Sequence, residues 1–186
     1  MTTADFSVFF ALLSLACWGA TITVIGLAFA TRAGKSGSGV SDWFADLRRV
    51  GLWIAWLVAL ATTLGSLYYS EIAHFTACKL CWYQRIAMYP LSITLLVAAV
   101  RRDRRVVWYV APIATIGAAF AVYQTQLQAF PSQHSSFCTT AEPCTIRYVW
   151  EFGFVSLPFM ALSAFVFIIT MTAVAARRQR HEIGEL

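Results

Sequence analysis

Five predominantly apolar stretches, roughly residues 6–30, 51–73, 81–100, 106–129 and 153–176, constrain this chain more than any other feature. Each is long enough to cross a bilayer, which takes about 20 such residues. Hydrocarbon offers no water to backbone N–H and C=O groups, so a helix, which pairs them within the segment, is the form open to these stretches. No strand-like alternation competes. Charged residues make up 12% of the chain, against about 25% in a soluble domain. The sequence therefore predicts an all-α fold, a polytopic membrane helical bundle with five spans and short connections. The opening "MTTADF" lacks the basic region of a signal peptide. The apolar run behind it also exceeds the about 7–15 residues of a signal-peptide core, so an uncleaved anchor is expected.

The net charge of +5 is not spread in a way that suits nucleic acid. Arg32, Lys35, Arg48 and Arg49 lie between the first two spans. Arg101, Arg102, Arg104 and Arg105 lie between the third and fourth, and Arg177, Arg178 and Arg180 follow the fifth. These eleven of the fourteen basic residues fall on one face of a five-span topology, and the positive-inside rule makes that face cytoplasmic. The N-terminus, the 74–80 turn and the 130–152 loop are then expected outside, and the C-terminus with its basic tail, 177–186, inside. The Gly/Ser-rich "AGKSGSGVSDW" (33–43) is expected to be a flexible connector. It sets residues 1–50, an extra N-terminal transmembrane helix and its loop, apart from a four-helix core at 51–176.

Four of the five cysteines fall on the outer side of this topology. Cys78 and Cys81 straddle the start of the third span, and Cys138 and Cys144 lie in "SSFCTTAEPCTIRY" between the fourth and fifth. The outer face of a cell membrane is oxidising, so paired cysteines there form or pass through disulfides. Two other possibilities remain at this level, a four-cysteine zinc site and two static disulfides. A C-x2-C ring closes too short a loop to remove much chain entropy, and its spacing suits thiol exchange better. A thiol at a helix N-terminus also gains thiolate character from the helix dipole. Cys17, in mid-span, reads as a small apolar packing residue.

Arg85 follows Cys81 by four residues, one turn deeper on the same helical face. A charge inside the membrane is costly and marks a functional site by default, although a long side chain can also reach back to the interface. A guanidinium below a thiolate is placed to hold an oxygen of an electron acceptor. The apolar two-electron acceptor of an energy-transducing membrane is a quinone. His74, His134 and Glu71 read as solvated or boundary residues.

The stretch "CKLCWYQRIAMYPL" (78–91) resembles the C-x-x-C-x-Y-x-R signature of the disulfide bond formation protein B family. Its C-W-Y-Q-R form is similar to the Gram-positive, BdbC-like branch. "PCTIRYVWEFGFVSLPFMAL" (143–162) is similar to the family's cysteine followed by an aromatic-rich opening of the last span. The resemblance covers roughly 51–176 and implies a four-helix thiol:quinone oxidoreductase in a bacterial cell membrane. Such proteins reoxidise an extracytoplasmic thioredoxin-like dithiol oxidase (DsbA/BdbD-like) and pass the electrons to menaquinone or ubiquinone. The resemblance makes Cys78 and Cys81 the quinone-proximal pair, Arg85 the quinone-site arginine, and Cys138 and Cys144 the partner-facing pair. Gln84 fits the branch. Gln124, in "VYQTQLQAFP", stands where members often carry histidine. Its amide is expected to bond a quinone carbonyl without delivering a proton, and no metal is implied.

By the rules of thiol exchange, a partner thiolate attacks Cys138 with Cys144 as leaving group. Cys144 then attacks Cys78 and frees Cys81 beside the quinone. "YVWEFGF" is expected either as a short amphipathic anchor or as an ordinary aromatic belt at the interface. Two other functions stand behind this one. A vitamin K epoxide reductase-like enzyme also joins a C-x-x-C to a loop pair and a quinone, but its loop pair precedes the C-x-x-C, the reverse of the order here. A non-catalytic membrane protein could bind zinc through its outer cysteines.

Overall fold

A computed structural model describes residues 3–34, 38–133, 138 and 144–176. Lys35, His134, the basic tail from Arg177 onward and most of the 135–143 loop lie outside the described residues. Five helices are long and apolar enough to cross a membrane: α1 (Thr3–Arg32), α2 (Ser38–Leu67), α3 (Lys79–Arg101), α4 (Val107–Ala129) and α5 (Leu157–Ala176). A π-helical turn, Tyr68–Ile72, extends α2, and a 3-10 turn, Arg104–Val106, leads into α4. Among the described residues the only β-type pairing is an isolated bridge between Glu151 and Val155. The expected all-helical bundle is the observed one.

Two boundaries differ from those the sequence suggests. The connector ends early, because α2 starts at Ser38 and not near residue 51. Val40, Phe44 and Leu47 recur at helical spacing and pack on the core, with Phe44 buried. Tertiary contact thus recruits part of the Gly/Ser segment into a helix. With its π turn this second span runs 34 residues from Gly39, roughly 50 Å at about 1.5 Å per residue. That exceeds the about 30 Å hydrocarbon core, so the end carrying Arg48 and Arg49 can stand clear of it.

The second difference concerns "YVWEFGF", which is no helix, amphipathic or otherwise. Glu151 and Val155 exchange backbone hydrogen bonds of 2.9 Å each around a tight turn. Phe152 and Gly153 take left-handed backbone there, φ 52° and 80°, and a run of such residues cannot continue a right-handed helix. Trp150, Phe152 and Phe154 are exposed on this turn, as an interfacial aromatic belt would be. Helix α5 therefore begins at Leu157, with Pro158 in its first turn, where a missing N–H costs nothing.

Helix α5 is the hub, packed against α1, α2 and α4. Phe165, fully buried on it, lies against Gly117 of α4; a Cβ there would fall 2.3 Å from the ring. At the basic turn between α3 and α4, Arg102 closes α3 in left-handed backbone. Asp103 accepts from the Arg105 N–H at 2.8 Å and the Tyr109 hydroxyl at 2.8 Å. Those donors hold its carboxyl below the usual carboxylate range. Ile86, Ile93, Val100 and Trp108 point outward, the face that lipid would cover.

Candidate active site

Cys78 is the N-cap of α3 in extended backbone, and Cys81 sits in the first helical turn. The Trp82 N–H donates to the Cys78 carbonyl at 3.1 Å. This turn folds the C-x2-C back on itself, so the two sulfurs face each other 3.0 Å apart as a free dithiol. A disulfide needs about 2.05 Å, a small approach.

Gln124 on α4 reaches under both sulfurs. Its amide Nε2 donates to Cys78 Sγ and to Cys81 Sγ, 3.3 Å each. Its Oε1 accepts from Gln84 Nε2 at 2.7 Å and from the Cys81 thiol at 3.8 Å. A primary amide has two donors and two acceptor sites, and all four are occupied. Gln84 and Gln124 are buried, where an unpaired amide would be costly. The pair therefore joins α3 to α4 and holds the dithiol between them.

Arg85 lies one turn below Cys81 and shares its cavity. Its guanidinium donates to the Ser66 carbonyl of α2 at 3.2 Å and lies 5.3 Å from the Trp82 ring centroid. Among the described residues that is its one hydrogen bond. An arginine has five donor hydrogens, so most remain for a ligand. The cavity, about 140 Å³, matches the about 150 Å³ that takes up a benzene ring. Cys81, Gln84, Arg85 and Gln124 line its polar side, while residues of α1, α2 and α5 supply the apolar remainder. Tyr69, Phe75 and Tyr148 line it as well. Their rings stack in sequence, with centroids 5.6 Å and 4.7 Å apart, joining the π turn, the 74–78 segment and the outer loop.

Cys138 and Cys144 form a disulfide with Cα atoms 5.7 Å apart. Cys144 is buried in one apolar cluster with Cys78, Leu80 and Leu127, and Cys81 and Cys138 pack against it. The fold therefore gathers both pairs at one end of the bundle. Gln128 of α4 pins the following segment by donating to the Ile146 carbonyl at 3.0 Å, and Arg147 donates to the Gln128 carbonyl.

All seven residues singled out from sequence meet here, whereas His74 and Glu71 are exposed and do not line the cavity. Ser66, Tyr69 and Tyr148 were missed, as was the inner face of α1, where Cys17 is buried and lines the cavity. The α1 face carried one readable signal. Its buried residues Ser7, Ala11, Ser14, Cys17, Thr21 and Val24 recur every three or four positions, a small-residue stripe of the kind that lets membrane helices approach.

The family model of disulfide bond formation protein DsbB matches residues 48–176. The chain belongs to this family. It is 46% identical over 123 residues to disulfide bond formation protein C of Bacillus subtilis, which covers 66% of this chain and 89% of that one. It is 38% identical over 136 residues to a probable disulfide formation protein C 2 of Bacillus cereus, 73% of this chain and 98% of that one. A probable disulfide formation protein of Coxiella burnetii is 44% identical over 123 residues, 65% of this chain and 84% of that one. No solved structure matches. As a member of the family, the chain is a multi-pass membrane oxidoreductase of disulfide formation. Helix α1 falls outside the matched residues.

Proposed function

We propose that the protein is a thiol:quinone oxidoreductase that reoxidises an extracytoplasmic thioredoxin-like dithiol oxidase. The observation that carries this is the gathering of both cysteine pairs in one buried cluster, with the inner pair beside an apolar cavity that has a cation on its wall.

The exchange balances as follows. A partner thiolate attacks Cys138 Sγ, breaking the 138–144 bond and releasing the Cys144 thiolate. Cys144 attacks Cys78 Sγ of an oxidised 78–81 pair and releases Cys81. The partner's second thiolate then displaces Cys138 from the mixed disulfide, so the partner leaves oxidised. Cys138 attacks Cys144, which restores the outer disulfide and leaves Cys78 and Cys81 reduced. Two electrons have passed from the partner to the inner pair. Sharing one buried cluster keeps Cys144 and Cys78 near each other for the middle step.

Menaquinone or ubiquinone, when bound, accepts two electrons and two protons and so reoxidises the inner pair. Its apolar lining and unspent guanidinium donors suit a quinone head group, and its volume, near that of one ring, matches the one-ring ubiquinone head more closely than the two-ring menaquinone head. Arg85 would hold a ring oxygen that gains negative charge, where fixed donors in an apolar site are most effective. Gln84 and Gln124 also line the cavity, but the Gln124 amide is spent on the sulfurs and on Gln84. We therefore assign Gln124 to positioning the dithiol, in place of the carbonyl contact expected from sequence. The disulfide between Cys138 and Cys144 ties up two of the four sulfurs that a zinc site would use, which favours the redox reading.

In the proposed orientation the N-terminus and cysteine end lie outside and the basic end and C-terminus in the cytoplasm, which the arginine distribution supports. The test is purified protein with a reduced thioredoxin-like partner and a quinone. Quinol should form in step with partner oxidation; partner oxidation that needs no quinone, or no quinol at all, would reject the assignment.

A further inference from the structure

We propose that α1, which the family match leaves out, is a wall of the acceptor cavity and selects acceptors by shape. The inference rests on the quinone assignment above and extends it to residues 10–17.

Phe10, Leu13, Ser14 and Cys17 of α1 line the same cavity as Cys81 and Arg85. Three contacts hold α1 at this depth. The Tyr69 hydroxyl donates to Ser7 Oγ at 3.2 Å. Phe6 stacks on Tyr68 with centroids 4.2 Å apart. The Phe10 ring lies on Gly65 of α2 so closely that a Cβ there would come within 2.7 Å of it. That fit fixes where the Phe10 ring stands in the cavity. Farther along, Trp18 packs near Phe159 of α5, with centroids 6.2 Å apart. The wall is therefore braced against α5 and against both parts of the second span.

The chemistry of this wall decides what it can do. None of the four residues is charged, and the Ser14 hydroxyl is spent on the Ala11 carbonyl at 2.8 Å. Only the weak S–H donor of Cys17 remains on this wall, so it discriminates chiefly through volume and contact. In an apolar pocket a single methylene changes selection by about tenfold or more. The space between the α1 wall and the Cys81–Arg85 wall is one aromatic ring in scale, so trimming or filling α1 should move the preference between one-ring and two-ring quinones.

The experiment uses the full-length protein with a short-chain ubiquinone and a short-chain menaquinone. Kd is read from quenching of tryptophan fluorescence, KM and kcat from quinol formation, and dithiol exchange from reduction of the protein by dithiothreitol. Cys17→Phe, which fills the cavity, should raise Kd and KM for both quinones about tenfold or more, with dithiothreitol reduction unchanged. Leu13→Ala, which enlarges it, should shift the menaquinone-to-ubiquinone ratio of KM values several-fold toward the larger ring, and it decides the matter if Cys17→Phe fails to fold. Kd and KM within twofold of wild type for folded Leu13→Ala would overturn the α1 assignment and leave the thiol:quinone function standing. Wild-type protein that binds and reduces neither quinone would overturn both.

Discussion

The two sides of the cavity are built on different terms. The α3–α4 side carries Cys81, Gln84, Arg85 and Gln124, with Cys78 behind Cys81, five groups tied to one another or to neighbouring backbone by hydrogen bonds. The α1 side carries Phe10, Leu13, Ser14 and Cys17, which offer the cavity chiefly bulk. Directional bonds on the first side demand particular residues at particular spacings, and a change of one atom type breaks them. Van der Waals contact on the second demands volume, which many residue sets supply. In the proposed function one side does the chemistry, and the other shapes the room in which it happens.

Substitutions on the α3–α4 side should therefore produce the largest effects, with Cys81→Ser largest of all. It removes the sulfur that closes the inner disulfide, so quinol formation should fall to background. A partner lacking its resolving cysteine should still be trapped as a mixed disulfide on Cys138, because that step needs only the outer pair. Residual quinone turnover would show that electrons bypass Cys81. Arg85→Ala comes next. A charge-assisted hydrogen bond is worth about 1.5–3 kcal/mol, or roughly ten- to a hundredfold in kcat/KM for quinone, while the 78–81 disulfide should still form. Unchanged quinone kinetics would reduce Arg85 to an interfacial anchor.

The same division explains what the sequence disclosed. The C-x2-C spacing and an arginine one turn on follow from bond geometry, so Cys78, Cys81 and Arg85 were legible without a structure. The five spans were legible because a membrane enforces length and apolarity on each segment by itself. The start of α2 was hidden, since Val40, Phe44 and Leu47 hold the Gly/Ser segment helical only through contacts made elsewhere in the bundle. The turn at Phe152 and Gly153 hid behind an aromatic pattern equally suited to an interfacial helix. Gln124 was found, but its partners were not, because the sulfurs and the amide meet across 43 or more residues of chain. The inner face of α1 was visible only as a stripe of small residues, which signals close packing and says nothing of a cavity.

Gln124→Leu tests the α3–α4 side by its positioning group. The substitution keeps the bulk and removes the donor that both sulfurs share. Those bonds favour the reduced pair, so their loss should make the pair harder to reduce. One net hydrogen bond is worth about 1 kcal/mol, which lowers the potential of the 78–81 couple by roughly 20 mV. Redox titration of the inner pair against glutathione or dithiothreitol buffers reads this directly. A potential that does not move would mean the amide serves the acceptor and not the sulfurs, returning Gln124 to the role its position in the motif first suggested.

The smallest effect separates bulk from chemistry on the α1 side. Cys17 is a thiol within the same cavity as the redox pair, so it could in principle exchange with Cys81 and serve as a fifth redox sulfur. Cys17→Ser is nearly isosteric and removes that reactivity while leaving the space almost unchanged. If α1 contributes only volume, kcat and KM for quinone should stay within about twofold of wild type, since volume-conserving changes in packed sites cost little. The pattern of trapped disulfides should be the same as well. Loss of turnover in folded Cys17→Ser, or a wild-type adduct joining Cys17 to Cys81, would move α1 from the shaping side of the cavity to the reacting one, and the contrast between the two walls would fail.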